Sequence, residues 1–335
     1  MNPYILAIES SCDDTSVAVL HGNKVLSNIV YTQKIHEEFG GVVPELASRN
    51  HEQKIVLTVQ KALQEAQINK KEIQAIAFTK GPGLIGSLLV GVCFAKSLAL
   101  ALNVPLIEVN HMQAHVLSPY IEQGQIEFPA LSLIVSGGHT QLVYIKDFLE
   151  MEIIGQTIDD AAGEAFDKAA KMLKLEYPGG PLIDKHAKNG NPKAFEFSKS
   201  KIADYNFSFS GVKTSILYFL QKQTQLNPNF IQENLEDLCA SIQYTIVSNL
   251  IQKAEKAAKN LNVKHISLAG GVSANSSLRT EFVKLGEKLN IPSYIPSFQY
   301  CTDNAAMIGF VGHFLYEKQI FSHQEAEPLV KNYAL

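Results

Sequence analysis

The chain states one α/β plan twice, and residues able to bind a metal fall at matching places in the two copies. Ile5 to Leu20 (ILAIESSCDDTSVAVL) reads as a strand, a turn of small and acidic residues, and a second strand; Leu131 to Ile145 (LSLIVSGGHTQLVYI) repeats it. Further on, Ala75 to Phe78 leads into a glycine-rich turn, an apolar helix and a strand after Asn103-Val104-Pro105. Likewise, His265 to Leu268 leads into Gly270-Gly271, a helix, and a strand after Asn290-Ile291-Pro292. His111 and His115 follow the first of these strands, and Asp303 stands at nearly the equivalent point past the second. Such a duplication implies two similar lobes whose strand-end loops face one cleft.

A length of 335 residues, 46% of them hydrophobic, suits two cores better than one. The polar stretch Glu122 to Pro129 marks the expected boundary, giving lobes 1–128 and 129–335, with an insertion in the second at about 155–215. No stretch reaches about 18 uninterrupted apolar residues, and MNPYILAIESS runs into a strand without a basic leader, so a cytoplasmic protein without a membrane anchor is expected. Cys12, Cys93, Cys239 and Cys301 lack paired metal spacing and fit a reducing compartment. A formal charge of −4 gives no global nucleic-acid signature, and arginine stands only at 49 and 279. Contact with a nucleic acid is therefore expected to be local or shared with a partner.

Between the third strand, Lys24 to Thr32, and the one at Ile73, the helix from about Glu45 carries Arg49, His51 and Lys54 on its polar face, read as solvated. In NHMQAH, His111 and His115 are four apart, which on a helix stacks both imidazoles on one face. With Asp303 they form a two-histidine, one-carboxylate set with open positions, typical of non-haem iron and compatible with zinc. Met112 occupies the position where a zincin carries its glutamate base.

Two turns, Ser10 to Thr15 and Ser136 to Thr140, can bring backbone N–H groups to a phosphate, and as a pair they resemble the phosphate loops of the actin-like ATPase superfamily. Gly270-Gly271 followed by Asn275 resembles the adenosine turn of that superfamily, with Asn275 serving base or ribose; a plain strand-to-helix turn is the alternative. On the helix from Asp159, residues Asp160, Glu164, Asp167 and Lys168 share one side, either as a solvated face or with Asp167, and Asp184 beyond it, accepting hydrogen bonds from substrate hydroxyls. Cys12 has no histidine near it in sequence to make it a nucleophile.

Taken in order, ESSCDDTSVAVL, NHMQAH, VSGGHTQL, DDAAGEAFDKAAKMLKLEYPGGP, FSFSGVKT, AGGVSANSSLR and CTDNAAMIG resemble the motifs of the tRNA N6-adenosine threonylcarbamoyltransferase family, formerly labelled O-sialoglycoprotein endopeptidase. The resemblance implies an α/β fold of two actin-like (ribonuclease H-like) lobes, mixed sheets flanked by helices, with a nucleotide and metal cleft between them. It implies transfer of a threonylcarbamoyl group from threonylcarbamoyl-adenylate to N6 of adenosine 37 in the anticodon loop of tRNAs reading codons that begin with A. By the same carry-over His111, His115 and Asp303 bind one Fe(2+), or Zn(2+), per subunit, and His139 joins them in catalysis. Val135, Ser136, Gly137, Gly138, His139, Asp167, Gly180, Asp184 and Asn275 hold the adenylate. A paralogous actin-like subunit and a small ATPase are the implied partners. Two other classes stay open: an actin-like kinase or ATPase using Asp13 or Asp14, and a metal-binding scaffold.

Overall fold

The computed structural model of the chain describes residues 2–39, 41–123, 126–198, 202–322 and 328. Its strands are β1 (Tyr4–Glu9), β2 (Asp14–His21), β3 (Lys24–Thr32), β4 (Ala75–Gly81), β5 (Leu106–Asn110), β6 (Ala130–Val135), β7 (Thr140–Asp147), β8 (Glu150–Gln156), β9 (His265–Ala269) and β10 (Ser293–Tyr294). Its helices are α1 (Pro44–Ala66), α2 (Ile85–Leu102), α3 (His111–Leu117), α4 (Ala162–Met172), α5 (Gly179–Ala187), α6 (Ser210–Leu226), α7 (Phe230–Glu233), α8 (Leu235–Leu261), α9 (Ser276–Leu289) and α10 (Ala305–Glu317).

The duplication is visible in the sheets. One has the order β3-β2-β1-β4-β5 and the other β10-β9-β6-β7-β8, so β6 to β10 retrace β1 to β5. In each, the first strand pairs antiparallel with the second and parallel with the fourth. The central strands β1 and β6 are apolar at nearly every position and buried on both faces, as strands covered by helices on both sides must be. The helices after the fourth strands also end alike. Asn103 and Asn290 take left-handed backbone, and the next N–H (Val104, Ile291) closes onto the carbonyls of Ala99 and Gly286 at 3.1 Å.

Two compact units result, residues 1–126, 148–150 and 296–335, and residues 127–147 and 151–295. The division near 126 falls in the expected stretch, of which Gly124 and Gln125 lie outside the described residues. The expected assignment of all of 129–335 to the second lobe is corrected, because the C-terminal segment returns to the first unit. It does so because α10 is apolar along its buried face and its first N–H groups find partners there: Ala305 donates to Ser16 Oγ (2.9 Å) and Ala306 to Asn28 Oδ1 (3.2 Å). The insertion also runs beyond residue 215, since α6 continues to Leu226 and α7 follows before the long helix α8.

The first unit's core joins Leu6, Ile8, Val17 and Val19 of the sheet with Ile55 and Val59 of α1 and Val92, Ala95 and Ala99 of α2. Among the described residues α2 alone is long and apolar enough to cross a membrane, with Lys96 within it. Its other face leaves Ile85, Leu89 and Leu100 exposed, and α1 exposes Val56 and Leu57. The second unit's core packs β6, β7 and β9 against α4, α5, α6 and α8.

Candidate metal centre and nucleotide pocket

In the first unit, β1, β4 and β5 run parallel and adjacent, and the polar residues gather at their C-terminal ends. Asn110 ends β5 and caps α3, its side chain accepting from the N–H groups of Met112 (2.8 Å) and Gln113 (3.1 Å). The helix thus begins at His111, and the four-residue spacing brings the imidazoles edge to face with centroids 4.6 Å apart. Asp303, just before α10, completes the set: Oδ1 is 2.9 Å from His115 Nε2 and 3.5 Å from His111 Nε2. The ligand atoms of the three residues lie within 4.8 Å of one another, the only such group of three found among the described residues. Tetrahedral ligands about 2.0–2.1 Å from an ion stand roughly 3.3 Å apart, so these nitrogens and this oxygen fit a divalent metal with little adjustment. All three residues belong to the first unit, which corrects the expectation that Asp303 reaches the metal from the second.

The charges are balanced locally. Burial alone would raise the Asp303 carboxyl, yet His111 and His115 hold it well below its ordinary value. Burial would lower His111, but Asp303 and Glu9 raise it well above the usual histidine range. Glu9, fully buried at the end of β1, is a residue that sequence reasoning missed. Its carboxylate faces His111 Nδ1 at 3.2 Å and accepts from the Ser11 N–H and the Thr79 hydroxyl. Burial would raise its carboxyl, and His111 holds it below the ordinary value. The signal was an acid closing an otherwise apolar strand, YILAIE, that is buried from Ile5 onward.

His51 was read on a solvated face and is instead fully buried. Its Nδ1 meets the Thr15 hydroxyl at 2.8 Å and its Nε2 donates to the Cys12 carbonyl at 2.9 Å, which pins the acidic turn to α1. Arg49 is exposed and pairs with Glu45. Burial and the neighbouring Asp13 push the Cys12 thiol up, so the thiol stays protonated and inert. Burial also pushes Asp14 up to about 7, aided by the charges of Asp303, Asp13 and Glu9 against a hydrogen bond from Thr32.

In the second unit, a cavity of about 270 Å³ is lined by Gly137, Gly163, Phe166, Asp167, Gly180, Asp184, Gly271 and Asn275, among others. Five residues expected to hold substrate therefore share one pocket: Gly137, Asp167, Gly180, Asp184 and Asn275. Gly137 and Gly138 are exposed in a tight turn closed by Ser136 N–H to the His139 carbonyl (2.8 Å) and His139 N–H to Ser136 Oγ (3.0 Å). Val135 turns its side chain into the core, so only its backbone is left to meet a ligand. His139 is half-buried in this turn, in the second unit, while the metal-capable group lies in the first.

The pocket's polar side chains are held from behind. Asp167 Oδ1 accepts from the N–H groups of Gly179 (2.9 Å) and Gly180 (3.2 Å), capping α5, and so leaves the charged face formed by Asp160, Glu164 and Lys168. Asp184 accepts from the Ser276 hydroxyl (2.7 Å) and backbone N–H. Asn275 caps α9 by accepting from Leu278 N–H (2.9 Å) and donates to Gln243 Oε1 (2.7 Å), so its amide is largely committed to structure, and only what faces the pocket is left for base or ribose. Gly270 has φ of +85°, and a Cβ there would meet the Val135 carbonyl at 2.5 Å, so only glycine fits. At Gly271 a Cβ would meet nothing within 4 Å, leaving the pocket floor open.

Comparison with known proteins agrees over nearly the whole chain. The family model described as TsaD: tRNA N6-adenosine threonylcarbamoyltransferase matches residues 24–310. Proteins named tRNA N6-adenosine threonylcarbamoyltransferase from Christiangramia forsetii and Riemerella anatipestifer are 58% and 57% identical, each match covering 95% of this chain and 94% of the relative. Among solved structures, (R)-2-hydroxyglutaryl-CoA dehydratase component A of Acidaminococcus fermentans aligns with TM-score 0.54 at 15% identity, over 95% of this chain and 99% of that one. Full-length HypF aligns with TM-score 0.62 at 13% identity, over 96% of this chain and 47% of HypF. These two share the actin-like fold with this chain and nothing finer.

Proposed function

The chain belongs to the tRNA N6-adenosine threonylcarbamoyltransferase family, and on that premise we propose how its residues carry out transfer from threonylcarbamoyl-adenylate to N6 of adenosine 37 in tRNAs reading codons that begin with A. The observation that carries the assignment of parts is that Gly137, Asp167, Gly180, Asp184 and Asn275 line one and the same pocket in the second unit. The adenylate binds there. The open backbone at Gly271 admits the base, the carboxylates of Asp167 and Asp184 keep lone pairs for hydroxyls, and the Gly137-Gly138 turn offers N–H groups to the phosphate. N6 of the adenosine attacks the carbamoyl carbonyl. A C–N bond forms, the C–O bond to phosphate breaks, AMP leaves as an anion and N6 gives up a proton. Because the leaving group needs no protonation, positioning and charge stabilisation supply most of the acceleration.

His111, His115 and Asp303 would hold one divalent ion, iron first and zinc second, which when bound supplies Lewis acidity and positive charge. The protein's own contribution is to keep both Nε2 atoms and Asp303 Oδ1 converged. Amide hydrolysis is not supported: Met112 replaces the zincin base, and Glu9 is tied to Nδ1 of His111, the side of the ring away from Asp303. A kinase or a passive scaffold is not favoured by relatives that share the transferase name at this identity.

The tRNA and a paralogous subunit with its small ATPase are the partners, and the cytoplasm the place of action. The exposed apolar side chains Ile85, Leu89 and Leu100 of α2 support a protein partner on that helix. Mass spectrometry of tRNA nucleosides after incubation with threonylcarbamoyl-adenylate and the partner subunits is the test. Threonylcarbamoyladenosine should form with the parent protein and be lost with His111→Ala, His115→Ala; equal product from both proteins would sink the metal assignment, and none from either the transferase reading.

A further inference from the structure

The ends of β1, β4 and β5 set Glu9, Thr79 and His111 side by side, because β1 pairs with β4 through Ile8 and Phe78, and β4 with β5 through Thr79 and Val109. Glu9 is 0% exposed, an environment in which a carboxylate persists only if its oxygens are fully engaged. They are: Oε1 accepts from the Ser11 N–H, and Oε2 accepts from the Thr79 hydroxyl and lies 3.2 Å from His111 Nδ1. Thr79 and Ser11 thus fix the carboxylate, and the carboxylate in turn can fix the imidazole.

We propose that Glu9 is a positioning residue for the metal set, holding the Nδ1–H of His111 so that Nε2, the nitrogen facing Asp303, is the one that gives up its proton and becomes the metal ligand. The proposal rests on the reading of His111, His115 and Asp303 as metal ligands. A neutral imidazole carries one proton, and whichever nitrogen bears it cannot bind a metal. With Nδ1 pinned to an acceptor, the nitrogen left free is the one 3.5 Å from Asp303 Oδ1. Ser11 Oγ, at 3.4 Å from the same Nδ1, is a weaker alternative acceptor. His115 has no such device, since its buried Nδ1 has no hydrogen-bond partner. The orientation of the pair therefore depends on the Glu9 side, through a carboxylate–histidine–metal arrangement whose outer member typically matters 10- to 100-fold for affinity.

Zinc affinity by chelator competition, together with 15N spectra of labelled histidines, tests this on the full chain. Glu9→Ala should weaken zinc binding about 10- to 100-fold, and Glu9→Gln, which keeps an acceptor oxygen, should restore most of it. In the zinc-loaded parent, His111 should show a protonated Nδ1 and a metal-bound Nε2, a readout that needs no variant to fold. Zinc on Nδ1 of His111, or a folded Glu9→Ala protein binding zinc within twofold of the parent, would overturn the role of Glu9 while leaving the metal set intact. Failure of the parent to bind zinc at all would overturn the metal set and this proposal together.

Discussion

Gly163 offers the sharpest test of how the pocket proposed for the adenylate is held. It is the second residue of α4, and its N–H donates to the Ser136 carbonyl at 3.2 Å, so the helix starts directly against the Ser136-Gly137 turn. A Cβ at this position would stand 2.5 Å from the Ser136 oxygen and 2.8 Å from Gly137 Cα. Comfortable non-bonded contact needs about 3.5 Å, so in Gly163→Ala either the turn or the helix retreats by roughly 1 Å. Overpacking against backbone costs about 1–3 kcal/mol, and stretching the Gly163 hydrogen bond adds about 0.5–1.5 kcal/mol. The better helix propensity of alanine returns at most about 1 kcal/mol. The net expectation is a loss of about 0.5–3.5 kcal/mol, read as a lower urea midpoint, together with AMP binding weakened at least tenfold in calorimetric titration because the turn is displaced. Gly271→Ala is the control for stability alone, since its Cβ meets no protein atom within 4 Å although the residue lines the pocket. A Gly163→Ala protein as stable as the parent, with AMP affinity unchanged, would refute the claim that this contact sets the turn.

Acid sensitivity should have one identifiable source in the second unit. Burial pushes His265, at the start of β9, from 6.5 down to about 4; the folded form stays neutral where the unfolded chain protonates, so stability is whole above about pH 6.5 and is lost as pH falls toward 4. At 1.36 kcal/mol per unit the loss is about 3 kcal/mol at most. Urea midpoints of His265→Phe should fall less steeply over that window, and an unchanged slope would exclude this source. Asp167 separates capping from ligand binding: Asp167→Ala strands the Gly179 and Gly180 N–H groups and should cost about 1–2 kcal/mol, whereas Asp167→Asn keeps an acceptor and most of the stability. Both should weaken AMP binding if the carboxylate meets hydroxyls, and full affinity in a folded Asp167→Ala protein would remove that role.

The duplicated sheet was legible because its signals are local. Alternating and continuous apolar runs, the paired Asn-x-Pro segments after α2 and α9, and the Gly-rich turns each encode their own geometry within a few residues. The two left-handed asparagines that end these helices show why the repeat survives in the sequence at all: the same cap chemistry is required twice. His111 and His115 were legible for the same reason, since a four-residue spacing on a helix settles their shared face without reference to anything distant.

What escaped depended on long-range contact. The repeat argument put Asp303 in the second lobe by counting along the chain, but α10 buries its apolar face against β1 and β2, and that burial, not sequence order, decides where Asp303 lies. His51 sits where helical periodicity allows either face, and only the Cys12 carbonyl and Thr15 hydroxyl, 36 or more residues away, draw it inward. Glu9 is the extreme case. Its burial becomes tolerable only through Thr79 and His111, which stand 70 and 102 residues further along the chain. A charged residue closing an apolar strand is thus a signal to look for distant partners, and here the partner it finds is a metal-capable histidine.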